Sequence, residues 1–290
     1  MKIEAKGLFP ILKKMMFFLL WVFNLFIYLT FSSLFRVFPI FAVENRNMMS
    51  TISIILLFLF AIGASFVQRV TGFGFGIFIM TVLPYLMPSY GESTTLSGLL
   101  ASVTSLIIVL RMYKYIHWKR LLPILMTFLV VSFFAVKSVE IVGDGTLKRV
   151  LGVVLILVSL YFYFLSHKIE VKPTFPIQIG MGTLSGAMGG FFGMQGPPAV
   201  LYFLASNKTK EEYVANTQCY FLLGNLAMTM YRAGSGYLTA TVGEAWCYGL
   251  LGVFIGTTLG AKVFHKLSGE VLRKVIYIYI GISGLVALFS

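Results

Sequence analysis

From Ile52 onward the chain is an almost unbroken succession of long apolar runs, and that pattern constrains its fold more than any other feature. The runs cover 51–68, 73–88, 94–112, 119–137, 147–165, 175–192, 197–206, 214–232, 245–264 and 271–289. Most are about 18–20 residues long, enough to cross the hydrocarbon core of a bilayer as an α-helix. Composition agrees: 58% of residues are hydrophobic and 11% charged, with a mean hydropathy of +0.90. A soluble domain carries about 25% charged residues, and this chain has too little polar surface to cover a water-soluble particle of 290 residues. The expected fold class is all-α, a polytopic membrane helical bundle with the lipid bilayer as its solvent.

Residues 15–43 form a further apolar stretch after Lys13 and Lys14, interrupted by Asn24, Arg36 and Pro39. A signal peptide, an extra span, or an extension upstream of a start at Met48 or Met49 would each give this pattern. No small-residue cleavage site stands out, and the run is long for a signal-peptide core. Residues 1–48 are therefore read as a membrane-embedded or interfacial extension, 49–168 as a first repeat and 169–290 as a second.

The repetition rests on polar matches at a nearly constant offset. DGTLKRVL at 144–151 aligns with GEVLRKVI at 269–276, and Lys137 pairs with Lys262 at the same offset. Upstream, Ser93-Thr94-Thr95 matches Ala215-Asn216-Thr217, and Trp118 falls near the counterpart of Trp246. Loop charges favour an inverted relation between the halves. If each glycine-broken element dips in and returns, one side collects Arg111, Lys114, Lys119, Arg120, Lys168, Lys172, Lys208, Lys210, Lys262, Lys266, Arg273 and Lys274. The other side then keeps only Lys137, Lys148, Arg149 and Arg232, the asymmetry of the positive-inside rule. This bias also accounts for the net charge of +13 without nucleic acid as a partner.

The interruptions, GFGFG at 72–76 and GGFFGMQGPP at 189–198, fall at matching places in the halves. Unpaired backbone groups are costly in lipid, so such breaks are tolerated where they are buried in protein or line a watery cavity. Paired breaks in two repeats point to a transporter's binding site. Glycines let a ligand approach the backbone, and helix N-termini offer free N–H groups to an anion. Close helix packing of the small-xxx-small kind is the other use of such glycines.

These segments resemble the sulfite exporter TauE/SafE family of anion permeases. The likeness is carried by GGFFGMQGPPAVLYFL at 189–204, by Ala215-Asn216-Thr217, and more weakly by GFGFGIFIMTVLPYL at 72–86. It extends over essentially all of 50–290. Where the family's motif reads Gly-Gly-Pro, this chain has Gln195-Gly196-Pro197. The resemblance implies export or import of sulfite, or of a related sulfur-containing or carboxylate anion, across the plasma (inner) membrane.

Candidate substrate-binding residues are drawn from both breaks and the spans beside them. In the first they are Gln68, Arg69, Gly72, Gly74 and Gly76; in the second, Gly193, Gln195, Gly196 and Pro197. Arg69 is either a substrate cation inside the span or an interfacial residue that snorkels. The neutral amide of Gln195 can donate to an anion without the desolvation cost of a full charge, or can bond to a neighbouring helix. Asn216, Thr217 and Gln218 form a polar cluster at the start of a span, suited to capping or to lining a pore. Asn225 shares a helical face with Gln218. Arg111 and Arg232, near the ends of matching spans, are read as topological anchors.

The single aspartate, Asp144, lies in a loop, and the glutamates and His117, His167 and His265 lie in loops or near span ends. With no acidic residue inside a span, a cation carrier is disfavoured and an anion fits. No nucleophile–base pair, paired carboxylates, HExxH or P-loop is present, so neither an enzyme nor direct ATP coupling is expected. Cys219 and Cys247 have no metal-type spacing, and neither metal nor cofactor is expected. The remaining alternative is a channel or a membrane scaffold subunit.

Overall fold

In a computed structural model the described residues are 49–165, 173–263, and 280–289 without 283 and 286. The extension at 1–48 and the 269–276 half of the repeat match lie outside them. Among the described residues every regular element is helical. They are α1 (Thr51–Thr71), α2 (Phe75–Ile79), α3 (Leu83–Leu86), α4 (Tyr90–Met112), α5 (Trp118–Val139) and α6 (Asp144–Leu160). After a π-helical turn at Tyr161–Leu165 come α7 (Phe175–Phe192), α8 (Gly196–Ser206), α9 (Lys210–Gly234) and α10 (Ala240–Val263). An apolar helical segment follows at Ile280–Phe289.

Among the described residues four helices, α1, α4, α5 and α10, are long and apolar enough to cross a membrane. Of the span window in α4, 78% is buried, against 33–39% in the other three, so α4 is the inner helix. Large apolar side chains such as Ile55, Met126, Leu157, Leu184 and Leu251 stay exposed on the outer helices, as lipid-facing residues do.

The helices α1 and α7 start where their apolar runs start, whereas α4 and α9 start four residues before theirs because their first turns are polar. Ser89 and Glu92 form a capping box that opens α4, and the Thr209 hydroxyl accepts from Glu212 N–H to open α9. The run at 73–88 is two short helices, since left-handed glycines at 72 and 74 precede the first and Pro84 sits in the first turn of the second.

Glycines set the helix contacts. Gly182, Gly186 and Gly190 of α7 rest on Ile124–Thr127, Phe128–Ser132 and Ser132–Val136 of α5, so these helices run parallel. Gly252, Gly256 and Gly260 of α10 rest on Phe58–Ile62, Ile62–Ser65 and Phe66–Arg69 of α1, again in parallel. In contrast, α4 and α9 are antiparallel, with Arg232 bonded to Thr94 and Gln218 to Ser105.

The broken elements turn back on themselves. Ser93 Oγ donates to Leu83 O, joining α3 to the first turn of α4. Tyr202 Oη, near the end of α8, accepts from Gln178 at the start of α7 and donates to Arg120 O. Thus α7–α8 opens and closes at the Arg120 end, and α3 returns to the Tyr90 end.

Candidate functional site

Each long helix that leads into a break ends in a left-handed glycine. Gly72 (φ 85°) donates to Gln68 O at 2.8 Å, and Gly193 (φ 68°) donates to Gly189 O at 2.9 Å. A side chain is disfavoured at both positions, which is why the chain reads Gly there. Gly74 (φ 97°) then starts α2, and Gln195 starts α8. The two breaks touch: a Cβ on Gly76 would collide with the carbonyl oxygen of Gly193. The backbones approach this closely only because Gly76 has no side chain.

A narrow cavity lies where they meet, lined by Gln68, Gly74, Phe75, Gly76, Ile77, Ala101, Gly193, Met194, Gln195, Gly196, Phe221 and Asn225. Its volume is about 30 Å³, room for about two water molecules. The sequence candidates Gln68, Gly74, Gly76, Gly193, Gln195, Gly196 and Asn225 therefore share one wall-to-wall space. Its polar side chains are neutral amides, and all three are nearly inaccessible (Gln68 2%, Gln195 5%, Asn225 4%).

Gln195 Nε2 donates to Asn225 Oδ1 at 2.8 Å and to Phe221 O at 3.2 Å. Its Oε1 is buried without a partner and lies against Gly224, where any side chain would collide with it. Tyr220 Oη donates to Ser185 Oγ, which donates to Gln195 O, so α7, α8 and α9 are tied at the second break. At the first break, Gln68 Nε2 bonds to Ser105 Oγ at 3.0 Å and to Gln218 Oε1 at 2.9 Å. Gln218 Nε2 in turn holds Gly72 O at 2.7 Å.

The helix ends are unequal: α8 has 11 residues and α2 only 5. Pro197 and Pro198 carry no N–H, which leaves the Gly196 N–H as the first-turn donor beside Gln195.

Other candidates sit elsewhere. Arg69 is half-buried with its stem against Gly260 of α10. Gly72 and Gln218 brace the first break from behind. Pro197 is buried in the first turn of α8, and Thr217 is buried with its hydroxyl unpartnered. Asn216 joins two loops, accepting from His117 N at 2.7 Å and donating to Asn207 Oδ1 at 2.6 Å. Beside it Glu212 pairs with Arg120 at 2.8 Å and His117 at 3.1 Å.

Sequence reading missed Phe221, Ser105 and above all Arg232. Far from a surface anchor, Arg232 is 1% exposed and donates to Thr94 O (3.2 Å), Gly189 O (2.8 Å) and Gly190 O (3.1 Å). Its cation meets the negative end of α7. The signal was its spacing of seven residues from Asn225, which keeps both on one helical face.

Interrupted helices whose breaks meet at a buried polar cavity, inside a multi-pass helical membrane protein, define the class of membrane transporters. The chain belongs to the sulfite exporter TauE/SafE family, whose profile matches residues 57–287. No curated protein and no solved structure matches it.

Proposed function

We propose that this chain is a secondary transporter that carries a small oxyanion, sulfite or a related sulfur-containing or organic anion, across the plasma (inner) membrane. The observation that carries the reading is the contact of Gly76 with Gly193, which puts both breaks and three buried amides around one cavity. The Asn225 amide N–H groups and the Gly196 N–H can replace part of an anion's hydration shell without a fixed counter-charge that would hold it too tightly to leave, while the Gln68 and Gln195 amides are held by their own protein bonds. The membership in an exporter family supports the same direction of inference.

Two inverted repeats, 49–168 and 169–290, belong to this proposal. Four observations support them. The broken elements return to opposite ends of the bundle. Each is followed by a long helix opened by a hydroxyl–glutamate cap. Those two helices, α4 and α9, are antiparallel neighbours. The leading helix of each half packs in parallel, glycine to backbone, on the other half: α1 with α10 and α7 with α5. A twofold axis in the membrane plane would exchange these pairs.

Proteoliposomes containing the purified chain test the function. Saturable, gradient-driven uptake of radiolabelled sulfite, weakened by Gln195→Ala, is the expected result. Uptake that never saturates would indicate a channel, and no flux of any oxyanion would sink the transport reading.

A further inference from the structure

The face of α9 that lines the cavity does not stop at Asn225. Gln218, Phe221, Asn225, Thr229 and Arg232 follow a spacing of three, four, four and three residues, so they form one stripe down the helix. Opposite them α4 presents Thr94, Gly98, Ala101 and Ser105 on its own single face. Ala101 and Asn225 belong to the cavity; Gly98, Thr229 and Arg232 lie beyond it, towards the Tyr90 end.

This lower section holds polar groups that the fold does not use. Thr229 is 3% exposed, and its hydroxyl has no partner, although a helical threonine commonly bonds to a carbonyl one turn back. Tyr90 Oη, fully buried near Arg232, is likewise without one. Arg232 has no carboxylate within ion-pair distance among the described residues. Its three carbonyl bonds leave part of its five-donor fork free. Gly98 faces these groups: a Cβ there would sit 3.4 Å from Thr229 Oγ1, 3.7 Å from Arg232 Nη1 and 3.9 Å from Asn225 O. The missing side chain thus leaves a methyl-sized opening with polar walls, one to two turns of α9 beyond the cavity.

We infer that Thr229 and Arg232 form a second oxyanion station, reached from the cavity through the opening at Gly98. The inference rests on the transport reading above and assigns the route on one side of the cavity. The Nε–H and the second Nη1–H of Arg232, which the three carbonyls leave unused, can each donate a charge-assisted bond to an oxyanion, and the hydroxyl of Thr229 can donate to a further oxygen. A buried cation beyond a cavity of neutral amides draws an anion out of it and repels cations. The carbonyls at the end of α7 share the charge of Arg232, which moderates its hold on a ligand and lets the ligand leave.

The test uses radiolabelled sulfite with the full chain in proteoliposomes, and thermal unfolding of the same preparations. Thr229→Val removes a hydroxyl that bonds to nothing in the protein, so a structural role predicts an unchanged melting temperature and unchanged flux. The inference predicts an unchanged or higher melting temperature with flux lowered roughly tenfold, the worth of one hydrogen bond to a charged ligand. Gly98→Ala fits without a clash and is expected to lower flux by closing the opening. Arg232→Lys keeps the charge but loses the fork and is expected to lower flux as well. Wild-type flux in both Thr229→Val and Gly98→Ala, alongside a loss in Gln195→Ala, overturns the second station and leaves the cavity standing. A wild-type chain that moves no oxyanion overturns the transport reading itself.

Discussion

Gln68 Nε2 donates to Gln218 Oε1 at 2.9 Å, joining side chains 150 positions apart across the centre of the bundle. The bond closes a small network: Ser105 Oγ donates to the same oxygen at 3.1 Å, and Gln218 Nε2 reaches back to Gly72 O at 2.7 Å. A carbonyl exposed by the break in α1 is thus satisfied by a residue from the other half of the chain. Gln218→Leu would leave one N–H of the Gln68 amide and the Gly72 carbonyl buried without partners, while Gln68 keeps its bond to Ser105. We expect a loss of about 2–6 kcal/mol, from about 1–3 kcal/mol for each of the two orphaned groups. Thermal unfolding in detergent measures it, and a melting temperature equal to the wild type would refute the bracing role.

The contact between the breaks makes a sharper prediction for glycines. Gly76→Ala drives a methyl into the backbone of Gly193, which cannot rotate away as a side chain can. Destabilisation of at least about 2 kcal/mol is expected from overpacking at such a site. Gly145→Ala is the control: nothing lies within 4 Å of its added methyl, in the first turn of α6. There the substitution should stabilise by about 0.5–1 kcal/mol, because alanine loses less chain entropy in a helix. Equal melting temperatures for the two variants would contradict the close approach of the breaks.

How much of this was legible in the sequence depended on how local each feature is. The breaks were legible because glycine and proline act on their own backbone, so Gly193, Gln195 and Gly196 could be marked as one site. Direction around a helix was harder. Gln68 and Arg69 are adjacent, yet a turn of about 100° per residue sends the first towards α4 and α9 and the second onto α10. Asn216 and Gln218 diverge in the same way, one to the loops and one to the first break. Arg232 was read by its position near the end of an apolar run; the carbonyls that receive it come from α4 and α7, more than forty residues away, and only the tertiary packing reveals them.

That divergence separates the alanine variants of the polar residues. Asn216→Ala breaks the tie to His117 and Asn207 and should lower stability by about 1 kcal/mol while sulfite affinity is kept. Gln195→Ala removes an amide from the cavity and should weaken binding roughly tenfold, seen as a smaller ligand-induced rise in melting temperature. Equal losses of affinity in both variants would show that the cavity is not the substrate's seat.

Gly224 allows a test of Gln195 that leaves every cavity-lining residue in place. An alanine at 224 would overlap Gln195 Oε1 and come within 2.8 Å of Phe128 Cε1. The amide is the more mobile of the two, because the Phe128 ring is packed edge-on against Tyr220 at 5.2 Å. Gly224→Ala should therefore push the amide off Asn225, with the cavity wall changed and its lining residues intact. Sulfite uptake is expected to fall about as far as in Gln195→Ala, and Gln195→Ala combined with Gly224→Ala should be no worse than either alone. That non-additivity is the signature of two substitutions acting through one contact. If the losses instead multiply in the double variant, Gly224 acts on transport by some route other than the amide of Gln195.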